Sequence, residues 1–520
     1  MDAFSTTIPG SGTLDATGFT GLRYGELVER RAQRQPHRTA IIFGEEQLTY
    51  GQLLDRIRAA AKSLSENGVR PGDRVVCYSE NRPEVLIALY ATSRLGAVFT
   101  PVGIASLPGD VAYILDDLSA GTLLVSAQTA AAAQQVPGVD RVRRIALGEG
   151  ADPALPHLPV HADSSVPAHQ PAPDSEALIV YTSGTSGHPK GVTLSHGALF
   201  FNGVNTLLGL DIVADDVTLV NTPFSHVAAL NTLAVNTLHK GGTVIIDSRF
   251  DPVRCLEQIA RFGVTTMFAV PSMLTLMAQA PDFADSDTSS LRWILGGGAP
   301  MPPDLVALWA SLGVPVLASY GLTEAGPSVS FRRTTDAAAK SASSGTPALL
   351  TDLRIVAPDG SDLPPGQVGE VLVRGPHIAS GYWGNDTATE QTFCGGWLVS
   401  GDRGFIDDDG DLCITGRSKE LIITGGENVD PAEVEHLIAQ YPRIRDAAVV
   451  GRPDPVWGEI VTAVVVSDGP VDLGELQQFL RPHLAKFKIP RVIEQRTSLP
   501  RNAVGKLLRR KLTPTTDIIS

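Results

Sequence analysis

The sequence predicts an α/β protein: a large N-terminal domain of layered α/β sheets, a small β-barrel at its end, and a small C-terminal α+β domain. Two changes of texture carry this. Short apolar runs alternate with amphipathic stretches as far as Ser319, strands and turns follow one another after Ser344, and helices return beyond Gly416. Alternating strands and helices imply parallel sheets covered by helices.

The opening MDAFSTTIPGSGTLDATG lacks a basic start and an apolar core, so residues 1–20 are expected to be a flexible leader and not a signal peptide. From Tyr24 the elements alternate: YGELVERRAQR amphipathic, RTAIIFG apolar, YGQLLDRIRAAAKSL helical, RVVCYS apolar. The longest apolar stretch, Val85 to Val102, contains Arg94, Gly96 and Pro101, and reads as a buried helix running into a strand, not as a membrane span. From Gly148 to Glu176 six prolines and no apolar periodicity mark a surface connection, with His157, His161 and His169 as solvated loop residues. A second α/β unit is expected from Ala177 to Ser319, with ALIVYT, TVIID, TTMFAV and RWILGG as strands. LRIVAPDG, GEVLVRG and GFIDDDGDLCITG suggest hairpins or a small barrel. In the last, Gly410 stands at the fourth position of the acidic loop, not the sixth, and Ser418 stands where a calcium loop needs Glu, so it reads as a hairpin turn. The helices PAEVEHLIAQY and DLGELQQFLRPHL, the strands DAAVVG and EIVTAVVV, and a basic tail complete the chain.

The 520 residues, 43% hydrophobic and 19% charged, are enough for more than one domain. A net charge of −14 excludes nucleic acid as the main partner, because a phosphate backbone calls for excess Lys and Arg. Cys77, Cys255, Cys394 and Cys413 show neither zinc-ligand spacing nor a disulfide framework, which points to reduced thiols in the cytoplasm.

Tyr181 to Gly191, YTSGTSGHPKG, carries the chemistry. Its three glycines and the hydroxyls of Thr182, Ser183, Thr185 and Ser186 leave N–H and O–H groups free to wrap an anion, and Lys190 adds a positive charge. Thr182, Ser183, Gly184, Thr185, Ser186, Gly187 and Lys190 are therefore a candidate phosphate cradle. GxxxxGK[ST] is absent, so it is not a P-loop. In GGGAP, Gly297, Gly298 and Ala299 let a backbone approach a flat ring, with a tight strand-to-helix turn as the alternative.

YTSGTSGHPKG (181–191), PFSHVAAL (223–230), GGGAP (296–300), YGLTE (320–324), GWLVSGD (396–402), GRSKELIITGGENVDPAEVE (416–435) and PRNAVGK (500–506) together resemble the adenylate-forming superfamily of acyl-CoA synthetases, peptide-synthetase adenylation domains and firefly luciferases. The resemblance implies an N-terminal AMP-binding domain over 21–415, a hinge at 416–419 and a mobile C-terminal domain over 420–520. It implies ATP, Mg²⁺ and coenzyme A as cosubstrates and cofactor, and a small-molecule carboxylic acid as substrate. Lys506 would bridge the carboxylate and the α-phosphate, Tyr320 and Gly321 would face adenine, Thr323 would bond the α-phosphate, and Glu324 would hold the metal. A hard cation independently suits a carboxylate beside phosphate oxygens. Asp402 would accept the ribose hydroxyls and Arg417 would reach the ribose and phosphate. Lys419 falls at the hinge, and Gly425, Gly426 and Glu427 would line a thiol tunnel after rotation of the C-terminal domain.

The acyl pocket would be lined by His226, Val227, Ala228, Ala229 and Asn231, with His226 as its gate. No acidic residue occurs from Pro223 to Ile246, which argues against an amino-acid substrate, whose ammonium would be buried unpaired. The segment most resembles fatty-acyl-CoA synthetases (fatty-acid–CoA ligases) of actinobacterial type, but aryl and alicyclic acid ligases share the same framework. Fatty, aryl and alicyclic acids therefore all remain, and so do two acceptors: CoA, or a carrier-protein phosphopantetheine or another nucleophile. The basic residues from Arg481 to Lys511 suggest a local positive face for CoA phosphates, a carrier protein or an anionic membrane surface, or else an ordinary solvated helix. No transmembrane segment is expected, and a homodimer is compatible with the sequence.

Overall fold

Residues 23–148, 150, 152–159, 166–182, 189–334, 343–417, 422–424, 427–429, 431–454, 457–484, 486–502, 505 and 507–512 are described by a computed structural model. The leader 1–20 and His161 lie outside them.

Two mainly parallel sheets make the large domain. One has seven strands, in the order Gly381–Tyr382, Lys190–Ser195, Glu176–Thr182, Val98–Gly103, Arg74–Ser79, Thr122–Ser126, Arg143–Leu147. The other has nine, with Val316–Gly321, Trp293–Gly296, Thr266–Ala269, Val217–Val220, Thr243–Ile246 and Thr39–Phe43 as its parallel centre. The sequence divides the strands at the proline-rich connection, but the sheets do not. Ile41 pairs with Val244 across some two hundred residues of chain, and Glu176–Thr182 joins the first sheet beside Phe99. Each sheet thus borrows a strand from the other's half of the sequence, and the two cannot separate without breaking main-chain ladders.

The apolar stretch at Val85 divides as expected. The helix Pro83–Leu95 is buried on all sides, Gly96 ends it at φ 70°, and Val98–Gly103 enters the sheet. A left-handed residue at that position satisfies the last carbonyls of the helix without a Cβ clash. The proline-rich connection is more attached than its composition suggests: His157 pairs with Ala146, Leu158 is buried, and Val166 packs on the core, while His157 and His169 are exposed.

Asp352–Val356, Gly369–Arg374, Phe393–Cys394, Trp397–Ile406 and Leu412–Arg417 form an antiparallel half-barrel with its own core around Val371, Val373 and Leu398. The acidic stretch at Asp407 is the turn of the hairpin between its last two strands. Residues Ile422 to Leu512 hold separate apolar clusters around Val449, Val461 and Leu476, and around Val464 and Leu499. Part of the basic tail is neutralised within this module: Lys488 pairs with Glu433, Arg501 with Asp446, and Arg509 with Glu435. Among the described residues no helix is long and apolar enough to cross a membrane.

Candidate active site

Ligands of open parallel sheets sit beyond the carboxyl ends of the strands. In the nine-stranded sheet those ends carry Asn221–His226, Val270–Ser272, Gly297–Ala299 and Tyr320–Glu324. In the seven-stranded sheet they carry Glu80–Asn81, Gly103, and Thr182 leading into the cradle. The two edges meet. Asn81 hydrogen-bonds Thr222 and Phe224, and a Cβ added to Gly103 would stand 2.7 Å from Ser225 Oγ. Every described site segment of the large domain read from the sequence lies along this cleft or on the half-barrel beside it.

Ser183, Gly184, Thr185, Ser186 and Gly187 lie outside the described residues, but both legs of their loop are fixed. On one leg the Tyr181 hydroxyl donates to Asp117. On the other, the Tyr113 hydroxyl donates to Pro189 O at 3.2 Å and Trp383 N–H to Gly191 O at 2.7 Å. Trp383 Nε1 in turn donates to Asp117 O at 3.1 Å. The Lys190 ammonium stands 5.0 Å from the centre of the Tyr382 ring, and the Tyr382 hydroxyl donates to Glu324 Oε1 at 2.8 Å. Tyr382 therefore couples the cation of the cradle to the carboxylate opposite. Burial and the adjacent Glu324 push its phenol above the ordinary range, so it stays protonated as the donor. Glu324 lies on the single turn Thr323–Ala325 beside Thr323.

Tyr320 donates to Asp402 Oδ2 at 2.6 Å, joining the expected adenine and ribose residues across the domain and the half-barrel. Asp402 is opposite Arg417 in the ladder. A Cβ on Gly297 would stand 2.9 Å from the Phe268 ring and 3.0 Å from Ser319 Oγ, so only glycine fits there without displacing a neighbour. Ala299 follows on the same turn.

The acyl segment takes an unexpected form. Ala228–Ala234 is a π-helix, a rare geometry concentrated at functional sites. Val227, Ala229 and Asn231 are buried, and Ala228 is partly so. Asn231 accepts from the Tyr24 hydroxyl at 2.7 Å and donates to Gly326 O at 3.4 Å. Its amide is thus committed to internal partners and ties the pocket wall to the turn after Glu324. Burial lowers the pKa of His226, leaving a neutral imidazole at pH 7 that offers one N–H and no full charge.

Lys506, Lys419, Gly425 and Gly426 lie outside the described residues, as do the side chains of Arg417 and Glu427. Gly505 does not: a Cβ there would stand 2.7 Å from Ser272 Oγ and 3.9 Å from Val270, so the chain immediately before Lys506 rests on the edge that carries Gly297. Tyr382, Trp383, Asp117, Asn81 and Tyr24 were not identified from the sequence. The run GYWGND at 381–386 carried a signal for the first two, an aromatic pair between turn residues.

The family description "AMP-binding enzyme" matches residues 28–383, and "AMP-binding enzyme C-terminal domain" matches residues 433–506. A feruloyl-CoA synthase of Amycolatopsis sp. is 40% identical over 93% of this chain and 97% of its own length. An indoleacetate–CoA ligase of Aromatoleum aromaticum is 36% identical over 94% of this chain and 96% of its own. Among solved structures, the o-succinylbenzoate CoA synthetase of Bacillus subtilis in complex with its acyl-adenylate intermediate superposes with a TM-score of 0.83 at 31% identity, covering 94% of this chain and 98% of that one. The cleft between the two sheets and these full-length likenesses agree: the chain belongs to the AMP-binding, adenylate-forming enzyme family.

Proposed function

We propose that this chain is an AMP-forming acid–CoA ligase whose acid is aromatic. The observation that carries the choice of acid is the likeness over nearly the full length to ligases named for feruloyl and indoleacetate substrates, together with an acyl segment that has no acidic residue from Pro223 to Ile246. The full-length relatives named for feruloyl and indoleacetate substrates support an aryl acid, and their names favour CoA over a carrier-protein thiol.

In the first half-reaction a carboxylate oxygen attacks the α-phosphorus of ATP and pyrophosphate leaves. Two anions must converge, and the chain offers positive charge and N–H donors on both sides of them. Lys190 and the cradle meet the phosphates, Thr323 bonds the α-phosphate, Tyr320 and Asp402 hold the nucleoside, and Lys506 bridges the reacting oxygens. Mg²⁺, when bound, offsets phosphate charge. Glu324, with phosphate oxygens, would hold that ion, since a hard cation takes oxygen ligands. In the second half-reaction the CoA thiolate attacks the acyl carbonyl and AMP leaves. We assign residues 21–415 and 420–520 to the two domains, Lys419 to the hinge between them, and Gly425, Gly426 and Glu427 to the thiol path. Among the described residues the four cysteines form no disulfide.

The test is pyrophosphate release and thioester formation over a panel of ferulate, indoleacetate, 2-succinylbenzoate and palmitate, with CoA or a holo-carrier protein as acceptor. The expected product is an aryl-CoA. Preference for palmitate overturns the acid class, and thioester on the carrier alone overturns the acceptor.

A further inference from the structure

One buried amide bridges the two sheets at the acyl side. Asn81 follows the strand Arg74–Ser79 and is 3% exposed. Its Nδ2 donates to Thr222 O at 2.8 Å, and Phe224 N–H donates to its Oδ1 at 2.8 Å. These two residues flank Pro223, whose carbonyl accepts the His226 N–H at 3.0 Å. Proline has no N–H, so this stretch cannot complete a strand ladder, and the Asn81 amide supplies the donor and acceptor that a neighbouring strand would.

The clamp is itself rigid. On one side of it Glu80 accepts from Ser126 Oγ and from Arg82 Nη1, and on the other Arg82 Nε donates to Glu84 at 2.7 Å. Glu80 and Arg82 are both buried. Gly103, at the end of the adjacent strand, leaves no room beside Ser225 for even a methyl group.

The geometry points to Asn81 as a positioning residue that sets the depth of the acyl site by fixing Thr222–Phe224 and, through Pro223, His226. This rests on the reading of the segment around His226 as the acyl pocket. Both Asn81 bonds run to that segment and neither runs to Lys190, Tyr320 or Glu324, so its loss acts on the acid and not on ATP.

The comparator is Asn205, which makes the same kind of amide clamp elsewhere: Leu350 N–H donates to its Oδ1 at 2.9 Å, and its Nδ2 donates to Thr351 Oγ1 at 3.1 Å. KM for ATP and KM for the panel acid turned over fastest are measured for wild type, Asn81→Ala, Asn81→Asp and Asn205→Ala, with a melting curve for each. Asn81→Asp keeps the side-chain volume and the acceptor for Phe224 N–H, and serves if the alanine variant does not fold. Losing a buried bond of this kind corresponds to about a tenfold rise in KM for the acid, with KM for ATP within about twofold. Asn205→Ala is expected to lower the melting temperature and leave the ratio of the two KM values unchanged. A parallel rise in both KM values, or no rise in a folded Asn81 variant, overturns the inference. A wild type that releases pyrophosphate with none of the acids strikes the proposed function instead, a result visible before any variant is made.

Discussion

On the phosphate side of the cleft Lys190, Tyr382 and Glu324 meet through charged and aromatic side chains, whereas on the acyl side Asn81, Asn231 and Tyr24 hold a backbone whose own side chains are mostly small. The first arrangement places functional groups directly against a ligand that is always the same. The second leaves the ligand-facing wall apolar and puts its polar bonds behind it, so the wall can change between relatives without disturbing the chemistry. Reactivity and selectivity are thus supported by different sets of contacts, and single substitutions should separate them.

The largest separation is expected at Lys506. Lys506→Ala should lower acid-dependent pyrophosphate exchange by about a thousandfold or more, because its cation acts where charge develops in the transition state. ATP binding by calorimetry should stay within a few-fold of wild type, and unchanged exchange would remove Lys506 from the mechanism.

At the strand end expected to carry adenine, Gly297→Ala forces a methyl group against Ser319 and against Phe268, the ring expected beside the acyl group. Overpacking of this kind costs about 1–3 kcal/mol of stability, so the melting temperature should fall, and displacement of the Phe268 ring should lower kcat/KM for an aryl acid. An alanine variant that keeps aryl-acid activity would place the acid elsewhere.

Tyr382→Phe removes the hydroxyl that donates to Glu324 and leaves the ring under Lys190. One hydrogen bond to a charged group is worth about 1.5–3 kcal/mol, so adenylation should fall roughly 10- to 150-fold. Titration with ATP should show weaker nucleotide binding while KM for the acid holds. A change confined to the acid would merge the two sides that the comparison keeps apart.

The smallest effect is a pH dependence behind the acyl wall. Tyr24 N–H donates to His196 Nδ1 at 3.0 Å, which requires that nitrogen to be unprotonated, and burial lowers the pKa of His196 to about 4. The unfolded chain takes up this proton near pH 6.5, before the folded one does. The contribution is therefore present in full above about pH 6.5 and is lost as pH falls towards 4. His196→Gln should flatten the fall in melting temperature across that window, and an unchanged slope would remove His196 as its source.

The candidate site residues that could be named from the sequence are those whose chemistry is contiguous. YTSGTSGHPKG and YGLTE each bring their groups within a few residues, so residue type and order point to an anion cradle and a metal-binding carboxylate. What stayed hidden depends on pairing between distant segments. Thr39–Phe43 reads as an ordinary apolar strand, and nothing in it names Thr243–Ile246 as its neighbour. Asn81 looks like any turn asparagine until Thr222 and Phe224 are brought against it. The π-helix at Ala228–Ala234 has the apolar content of an α-helix, and local periodicity does not reveal the wider turn that packing imposes. In the tail, too, local sequence does not show that Glu433, Glu435 and Asp446 fold against three of its basic residues.

A crystal structure with the sulfamoyl analogue of an aryl-adenylate addresses both sides of the cleft at once. The adenine should lie against Gly297–Ala299 and Tyr320, the ribose at Asp402, the sulfamoyl group between Lys190 and Thr323, and the aryl group against His226 and Phe268. An analogue bound away from the facing strand ends of the two sheets would contradict the account.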